Sequence, residues 1–379
     1  MRIISDAQVR TTILPRITLS SLLHSQAVAL QSLQPTSSTP SPHTTAQCPP
    51  RLSLHTPNHT QLFMPARTNT PDSVVKIVSV PTSTSNVASG IPGVNLLFDD
   101  STGKPSHVVG STYLTALRTA AGSLASSIIA LGGVRERVKS VVVFGDGAQA
   151  VFHVWLHLRY FTSLQSVVVV VGSHKSLSTQ EVDEKRRNFS ARLDDLCSTG
   201  QYTINCISGQ DRNAVKTALK EASLVFTCTP SNTPLLDHSD LPINKPQHIC
   251  AVGSYTPSMC ELPASLIRST SLITGALTVD SIESCAKEAG CLLQALPPTD
   301  VHTRCIELAK LLPTPQSSDG GVKGYLQLVE RQAVEYGSGR EEEGGMVTVF
   351  KSVGVGVQDV EITKLVVSLA DDVGTHVAF

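Results

Sequence analysis

Two rhythms of apolar and polar positions divide the chain. From Arg51 to Phe98, the β-favouring runs Leu62-Phe-Met64, Val74-Val-Lys-Ile-Val78 and Val94-Asn-Leu-Leu-Phe98 are separated by Pro, Gly, Asn and Asp. They predict a small sheet closed by a turn at Asp99-Asp-Ser-Thr-Gly103. A helix is predicted from near Ser111 through Leu117-Arg118-Thr119-Ala-Ala121 towards Leu131-Gly-Gly133. Beyond it the rhythm changes to strand, helix, strand. Strands are predicted at Ser140 to Phe144, Ser166 to Val171, Tyr202 to Ile207, Leu224 to Cys228, His248 to Val252 and Ser271 to Thr274, with helical patterns between most of them. Near-continuous apolar strands alternating with helices imply an α/β class with a parallel sheet covered on both faces. β character returns at Met346 to Phe350, and a helix follows from about Gln358.

At the N-terminus, Ser5-Asp-Ala-Gln8 has the form of a capping box, with Ser5 accepting from a backbone N–H and Gln8 reaching back. Arg2, Arg10 and Arg16 among many hydroxyls also resemble a mitochondrial presequence, although Asp6 is out of place in one. Residues 32–50 are rich in Ser, Thr and Pro and read as a poorly ordered excursion that the chemistry does not need.

Composition narrows the classes. A chain of 379 residues exceeds the usual size of one core, and 41% apolar content is enough to fill two. A formal charge of −1 offers no basic surface, so nucleic acid is not an expected partner. Nine scattered cysteines without CxxC or Cys/His ligand spacing suit reduced thiols in a cytoplasmic protein, with no metal site. The longest apolar run, near Val167 to Val171, has the length of a buried strand, so a soluble protein without a membrane span is expected.

The strand ending at Phe144 is followed by Gly145-x-Gly147-x-x-Ala150 and a helix with apolar Val151, Val154, Trp155 and Leu158. Glycines let the backbone turn tightly and approach a pyrophosphate, whose charge meets the N–H groups and dipole of the helix start. This predicts a dinucleotide site at Gly145, Gly147, Ala148 and Gln149. Asp146 sits inside the loop and would repel phosphates unless its side chain turns away. At the end of the next strand an acid would bond the adenine ribose of NAD, but the sequence reads Val171-Gly-Ser-His-Lys175. Ser173, His174 and Lys175 therefore predict NADP(H) preference through the 2′-phosphate, with NAD(H) possible and a plain solvated turn as the alternative.

Five blocks in order, Gly110-Ser-Thr-Tyr-Leu-Thr-Ala-Leu-Arg-Thr-Ala-Ala121, Phe144-Gly-Asp-Gly-Ala-Gln-Ala150, Cys228-Thr-Pro-Ser231, Ala251-Val-Gly-Ser-Tyr-Thr-Pro257 and Thr348-Val-Phe-Lys-Ser-Val-Gly354, resemble the ornithine cyclodeaminase/mu-crystallin family. The resemblance implies a Rossmann-type doubly wound parallel sheet, here residues 121–317, inserted into a discontinuous α+β substrate-binding and dimerisation domain, here 1–120 and 318–379. It implies nicotinamide chemistry at a carbon bearing an amine or imine beside a carboxylate, in a homodimer.

By the same resemblance, Arg51, Lys76 and Arg118 bind the substrate carboxylate. Arg offers a planar fork, whereas Lys76 offers a point charge that also polarises the reacting atom. Thr119, Thr229, Pro230, Gly253, Ser254, Ser352 and Gly354 surround the cofactor. Cyclodeaminases of the family have an aspartate where this chain has Tyr255. A phenol is a poor base at neutral pH, so Tyr255 either donates a hydrogen bond or packs beside the nicotinamide. The expected function is an NAD(P)H-dependent reductase of a small cyclic ketimine or α-imino/α-keto acid, with Lys76, Arg118 and Tyr255 at the reacting centre. The alternatives are ornithine cyclodeamination with recycled NAD, or a catalytically silent NADP-binding protein. His153 and His157, one helical turn apart, are expected on a helix surface; Cys285 and Cys291 are expected as buried thiols, and Glu341 to Glu343 as a loop charge run.

Overall fold

A computed structural model describes residues 1–35, 45–82, 91–173, 175–196, 201–337 and 346–378. His174, Glu341 to Glu343 and residues 36–44 of the Ser/Thr/Pro excursion lie outside the described residues. The chain divides into two compact units, 1–118 with 314–326 and 355–379, and 119–313 with 327–354.

The first unit is built on a seven-stranded sheet. Its strands are β1 (Arg2–Ile4), β2 (Leu52–His55), β3 (His59–Ala66), β4 (Ser73–Pro81), β5 (Gly93–Phe98), β6 (Pro105–Gly110) and a last strand Thr375–His376. β2 to β6 form an antiparallel meander, β1 joins β6 in parallel, and the last strand closes the far edge. Alternation sets the faces: Val74, Lys76 and Val78 of β4 are buried and their neighbours less so. The predicted turn forms at Asp99–Gly103, with Gly103 at φ +67 and Asp99 Oδ1 accepting from Ser101 and Thr102. The capping box holds as α1 (Asp6–Gln8), where Ser5 N–H donates to Gln8 Oε1 at 3.0 Å and Gln8 N–H to Ser5 Oγ at 3.2 Å. It is followed by α2 (Leu19–Ser32).

In the second unit lies an eight-stranded parallel sheet: β7 (Ser140–Phe144), β8 (Ser166–Val171), β9 (Thr203–Ser208), β10 (Leu224–Thr227), β11 (Gln247–Ala251), β12 (Leu277–Val279), β13 (Ile306–Glu307) and β14 (Val347–Lys351); the first unit's last strand, Thr375–His376, is β15. Their order is β13-β12-β14-β11-β10-β7-β8-β9, so the winding reverses between β7 and β10. This is a Rossmann-type, doubly wound sheet, whose ligands bind at the carboxyl ends of the strands beside the reversal. α3 (Thr112–Leu131), α4 (Ala148–Tyr160), α5 (Thr179–Asp194), α6 (Arg212–Glu221), α7 (Ala264–Ser271), α8 (Ile282–Glu288), α9 (Gly290–Ala295) and α10 (Pro298–Arg304) belong mostly to this unit, whose apolar core includes Val142, Phe144, Val225, Ile249 and Val349. α11 (Asp319–Lys323) and the start of α12 (Tyr325–Gly337) lie in the first unit with α13 (Gly356–Ser368), which packs on β3, β4 and β5 and along α2.

Three expectations need correction. The strand expected at Ser271 to Thr274 is the end of α7 and a turn; Leu272 is 73% exposed, and the strand of that region is Leu277–Val279. Residues 327–354 belong to the second unit rather than the first, because β14 is hydrogen-bonded into the parallel sheet between β11 and β12. His153 and His157 are fully buried in α4 rather than on its surface. The segment Thr112–Arg137 is long and apolar enough to cross a bilayer, but it is mostly buried and serves as a core helix.

Candidate functional site

The loops at the carboxyl ends of the central strands make one constellation. After β7, Gly145 adopts φ +102, a backbone that favours glycine, and an added Cβ would stand 2.8 Å from Thr229 Cγ2. Gly147 caps α4 in extended conformation, leaving the first-turn N–H groups of a 13-residue helix at the loop. After β11, a Cβ on Gly253 would lie 2.2 Å from the Thr229 carbonyl oxygen, so only glycine fits. The Thr229 and Ser254 hydroxyl oxygens are buried without a hydrogen-bond partner among the described residues. Orphaned buried hydroxyls are rare in native folds and here mark the residues that fit a bound polar ligand. Pro230 is exposed beside Thr229, and Tyr255 is half-buried in the loop after β11.

Two buried acids fasten these loops. Lys351, at the end of β14, is 0% exposed; its Nζ donates to Glu261 Oε1 at 2.8 Å, to the Ser254 carbonyl at 2.7 Å and to the Ala251 carbonyl at 3.2 Å. Burial, the largest single influence, works to lower the Lys351 ammonium, but Glu261 together with Cys291 and Cys285 outweighs it and the net direction is up. Glu261 Oε2 accepts from the Gly253 N–H at 2.9 Å. Asp280 Oδ2 accepts from Ser352 Oγ at 2.7 Å and from the N–H groups of Val353 and Gly354 at 3.0 and 2.8 Å, fixing a turn in which Gly354 has φ +79. Neither acid was expected from sequence. Each is the one acid in a block of apolar and small residues, Met259-Cys-Glu-Leu262 and Leu277-Thr-Val-Asp280, a signal of burial with a partner.

At the outer edge, Asp146 is paired with Lys185 Nζ of α5 at 2.7 Å, and Arg192 Nη1 donates to the Asp146 carbonyl at 2.7 Å. The loop acid is thereby neutralised by a neighbour. Ser173 is half-buried at the end of β8, and Lys175 is exposed, 3.9 Å from Glu181.

The expected substrate cations lie in the first unit. Lys76 sits on the inward face of β4 beneath α13 and is 2% exposed; Arg118 is 5% exposed. Both converge on Asp359, in the first turn of α13, with Lys76 Nζ 2.7 Å from Oδ2 and Arg118 Nε 3.2 Å from Oδ1. Arg118 Nη1 donates to Gln358 Oε1 at 3.1 Å, and Gln358 Nε2 donates to Gln26 Oε1 at 3.2 Å. Burial lowers the Lys76 ammonium to about 8; Asp359 resists the fall, and the neighbouring Arg118 and Arg51 add to it. Arg51, half-buried just ahead of β2, thus stands within electrostatic reach of Lys76. Cys48 adjoins the same cluster: the N–H groups of Val357 and Gly356 point at its sulphur, while burial pushes its thiol up. Asp359, Gln358 and Cys48 were not expected.

His153 and His157 are each hydrogen-bonded at both ring nitrogens. In each ring Nδ1 meets a carbonyl oxygen, Gln149 at 2.7 Å and His153 at 2.6 Å, so Nδ1 donates. Nε2 then accepts from Ser123 and Ser127 hydroxyls, each at 2.9 Å, leaving no lone pair for an ion. No group of potential metal ligands occurs among the described residues. Cys285 and Cys291 are buried as expected, and burial raises both thiols, Cys291 to about 12.

Comparison with known proteins agrees with this architecture. The family described as ornithine cyclodeaminase/mu-crystallin matches residues 36–373. A Dictyostelium discoideum protein named as an uncharacterized cyclodeaminase is 28% identical over 318 residues, covering 81% of this chain and 79% of that protein. Delta(1)-pyrroline-2-carboxylate reductase of Bacillus cereus is 26% identical over 330 residues, 85% of each chain. The solved structure of Thermococcus litoralis Delta(1)-pyrroline-2-carboxylate reductase with NADH and L-proline matches the whole of both chains with a TM-score of 0.69 at 20% identity, a likeness of fold. With its glycine loop at the winding reversal of a Rossmann sheet and its five blocks in order, the chain belongs to the ornithine cyclodeaminase/mu-crystallin family.

Proposed function

We propose that the protein is an NAD(P)H-dependent oxidoreductase that reduces a small cyclic ketimine or α-imino/α-keto acid at the carbon bearing the carboxylate. The carrying observation is the charge balance of the buried cluster: among the described residues, Lys76 and Arg118 share one carboxylate, Asp359. Excess positive charge at buried positions is costly, so a small carboxylate is the ligand that relieves it. Arg118 holds the acid through its guanidinium, oriented by Asp359 and Gln358. Lys76, lowered to about 8, is an ammonium at neutral pH that gives up its proton readily. A neutral imine or ketone takes that proton on nitrogen or oxygen, whereas a protonated iminium arrives with it.

Gly145, Gly147, Ala148 and Gln149 would hold the pyrophosphate, with Thr119, Thr229, Pro230, Gly253, Ser254, Ser352 and Gly354 about the nicotinamide. When bound, the reduced nicotinamide supplies the hydride. Ser173 and Lys175, without an acid at the end of β8, support NADP(H) preference. Tyr255, where a cyclodeaminase of this family would have its aspartate, supports reduction over cyclodeamination, and Glu261, the next acid along the chain, is held by Lys351. A homodimer in the cytoplasm completes the reading. The test incubates the protein with NADPH and a panel of five- and six-membered cyclic imino acids, following absorbance, beside ornithine with NAD and an ammonia readout. Reduction consumes NADPH one for one. Ammonia release from ornithine without net change in the cofactor overturns the reading.

A further inference from the structure

The acid inside the glycine loop has a partner whose position suggests a role. Asp146 Oδ2 lies 2.7 Å from Lys185 Nζ, and Arg192 Nη1, two turns further along the same face of α5, donates to the Asp146 carbonyl at 2.7 Å. The loop is thus tied to α5 by backbone and side chain together. On neighbouring β9, the Cys206 thiol lies within electrostatic reach of Asp146 and of Asp183, Lys185 and Arg186 on α5. Ser173 and Lys175 follow β8 on the same edge. In a doubly wound sheet this is where the adenine ribose of a dinucleotide rests. The acid that normally accepts from the ribose hydroxyls is absent from residues 172–178, and the nearby acid, Asp146, is occupied by a lysine.

We propose, resting on the reading of this unit as dinucleotide-binding, that Lys185 is a specificity-determining residue for the 2′-phosphate of NADP(H), with Asp146 as the counter-ion the phosphate replaces. The two side chains are about one-third exposed, at 37% and 36%, so their pairing is screened and exchanges readily. A ribose phosphate carries more negative charge than one carboxylate and offers three acceptor oxygens, so it competes well for a mobile ammonium. NADH has no such group and leaves the Asp146–Lys185 pair intact. The two residues therefore act in opposite senses: Lys185 draws the phosphate, and Asp146 holds Lys185 back and repels the same group.

The test titrates full-length protein with NADPH and with NADH, following nicotinamide fluorescence, for the wild type and for Lys185→Met, Lys185→Arg and Asp146→Asn. Lys185→Met is expected to weaken NADPH about tenfold while NADH changes less than about twofold, and Lys185→Arg to restore most of the loss. Asp146→Asn is expected to tighten NADPH relative to NADH by about threefold or more. Equal shifts for both nucleotides in Lys185→Met, or an unchanged ratio in Asp146→Asn, overturn the inference and leave the cofactor reading standing. Failure of the wild type to bind either nucleotide overturns both.

Discussion

Asp359→Asn removes one charge from the buried cluster and nearly nothing of its shape. Lys76 Nζ lies 2.7 Å from the carboxylate, and at an effective dielectric near 20 two unit charges roughly 4 Å apart attract by about 4 kcal/mol. That corresponds to about three pKa units. Burial and the two arginines remain, so Lys76 should fall from about 8 to well below neutrality. In the wild type, kcat/KM reports the free enzyme and should be level from pH 6 to 7, then fall as pH rises through about 8 and Lys76 loses its proton. In the variant the falling limb should begin below pH 7, costing up to about a hundredfold at neutrality and recovering as the assay is made more acidic. Arg118 loses its buried carboxylate partner as well, so the fold should also weaken, within the roughly 3–5 kcal/mol of a broken buried pair. Initial rates at each pH, with melting curves to show that the variant remains folded, make the measurement. A variant whose limb stays near pH 8 would refute the assignment of that limb to Lys76 under the influence of Asp359.

Other consequences follow from the same geometry. Glu261→Gln leaves the Lys351 ammonium buried without its partner and should destabilise the protein by about 3–5 kcal/mol in chemical denaturation, much of which the double change Lys351→Met, Glu261→Gln should return. His153, His157 and His248 are held neutral by burial, with folded values of about 4, well below 6.5, and about 3. Lowered values mean stability that is present above the unfolded value of 6.5 and lost as pH falls below it, by about 1.4 kcal/mol per pH unit for each ring; a denaturation midpoint unchanged between pH 6.5 and 5 would contradict this. Arg118→Ala should cost at least about a hundredfold in kcat/KM through loss of the proposed guanidinium contact to the substrate carboxylate; unchanged steady-state kinetics would remove Arg118 from the site.

The second unit was legible where the sequence pattern has a local cause. Val141 to Phe144 and Val167 to Val171 are apolar because strands buried on both faces leave no polar side, and the glycines after β7 are required by φ +102 and by the approach of Thr229. Short or edge elements were not legible. β2 is exposed at all four residues and β12 has three, whereas Leu272, Ile273 and Thr274 have strand-like chemistry at the end of a helix. Apart from the family resemblance, Lys76 was legible as a charge inside an alternating strand; that it meets Asp359 depends on α13 packing over β4, which no local pattern encodes. A signal did exist: Gln358, Asp359, Glu361 and Thr363 are interleaved with Val357, Val360 and Ile362 along the helix, and all seven are buried. Acids buried on a helix are held against partners.

Transfer of deuterium from 4,4-dideuterated NADPH to a cyclic imino acid tests the central claim most directly. Mass spectrometry and NMR of the product should show one deuterium on the carbon bearing the carboxylate, with one NADPH consumed for each amino acid formed. A product without deuterium, or with deuterium on another carbon, would contradict hydride delivery to a substrate anchored by Lys76 and Arg118.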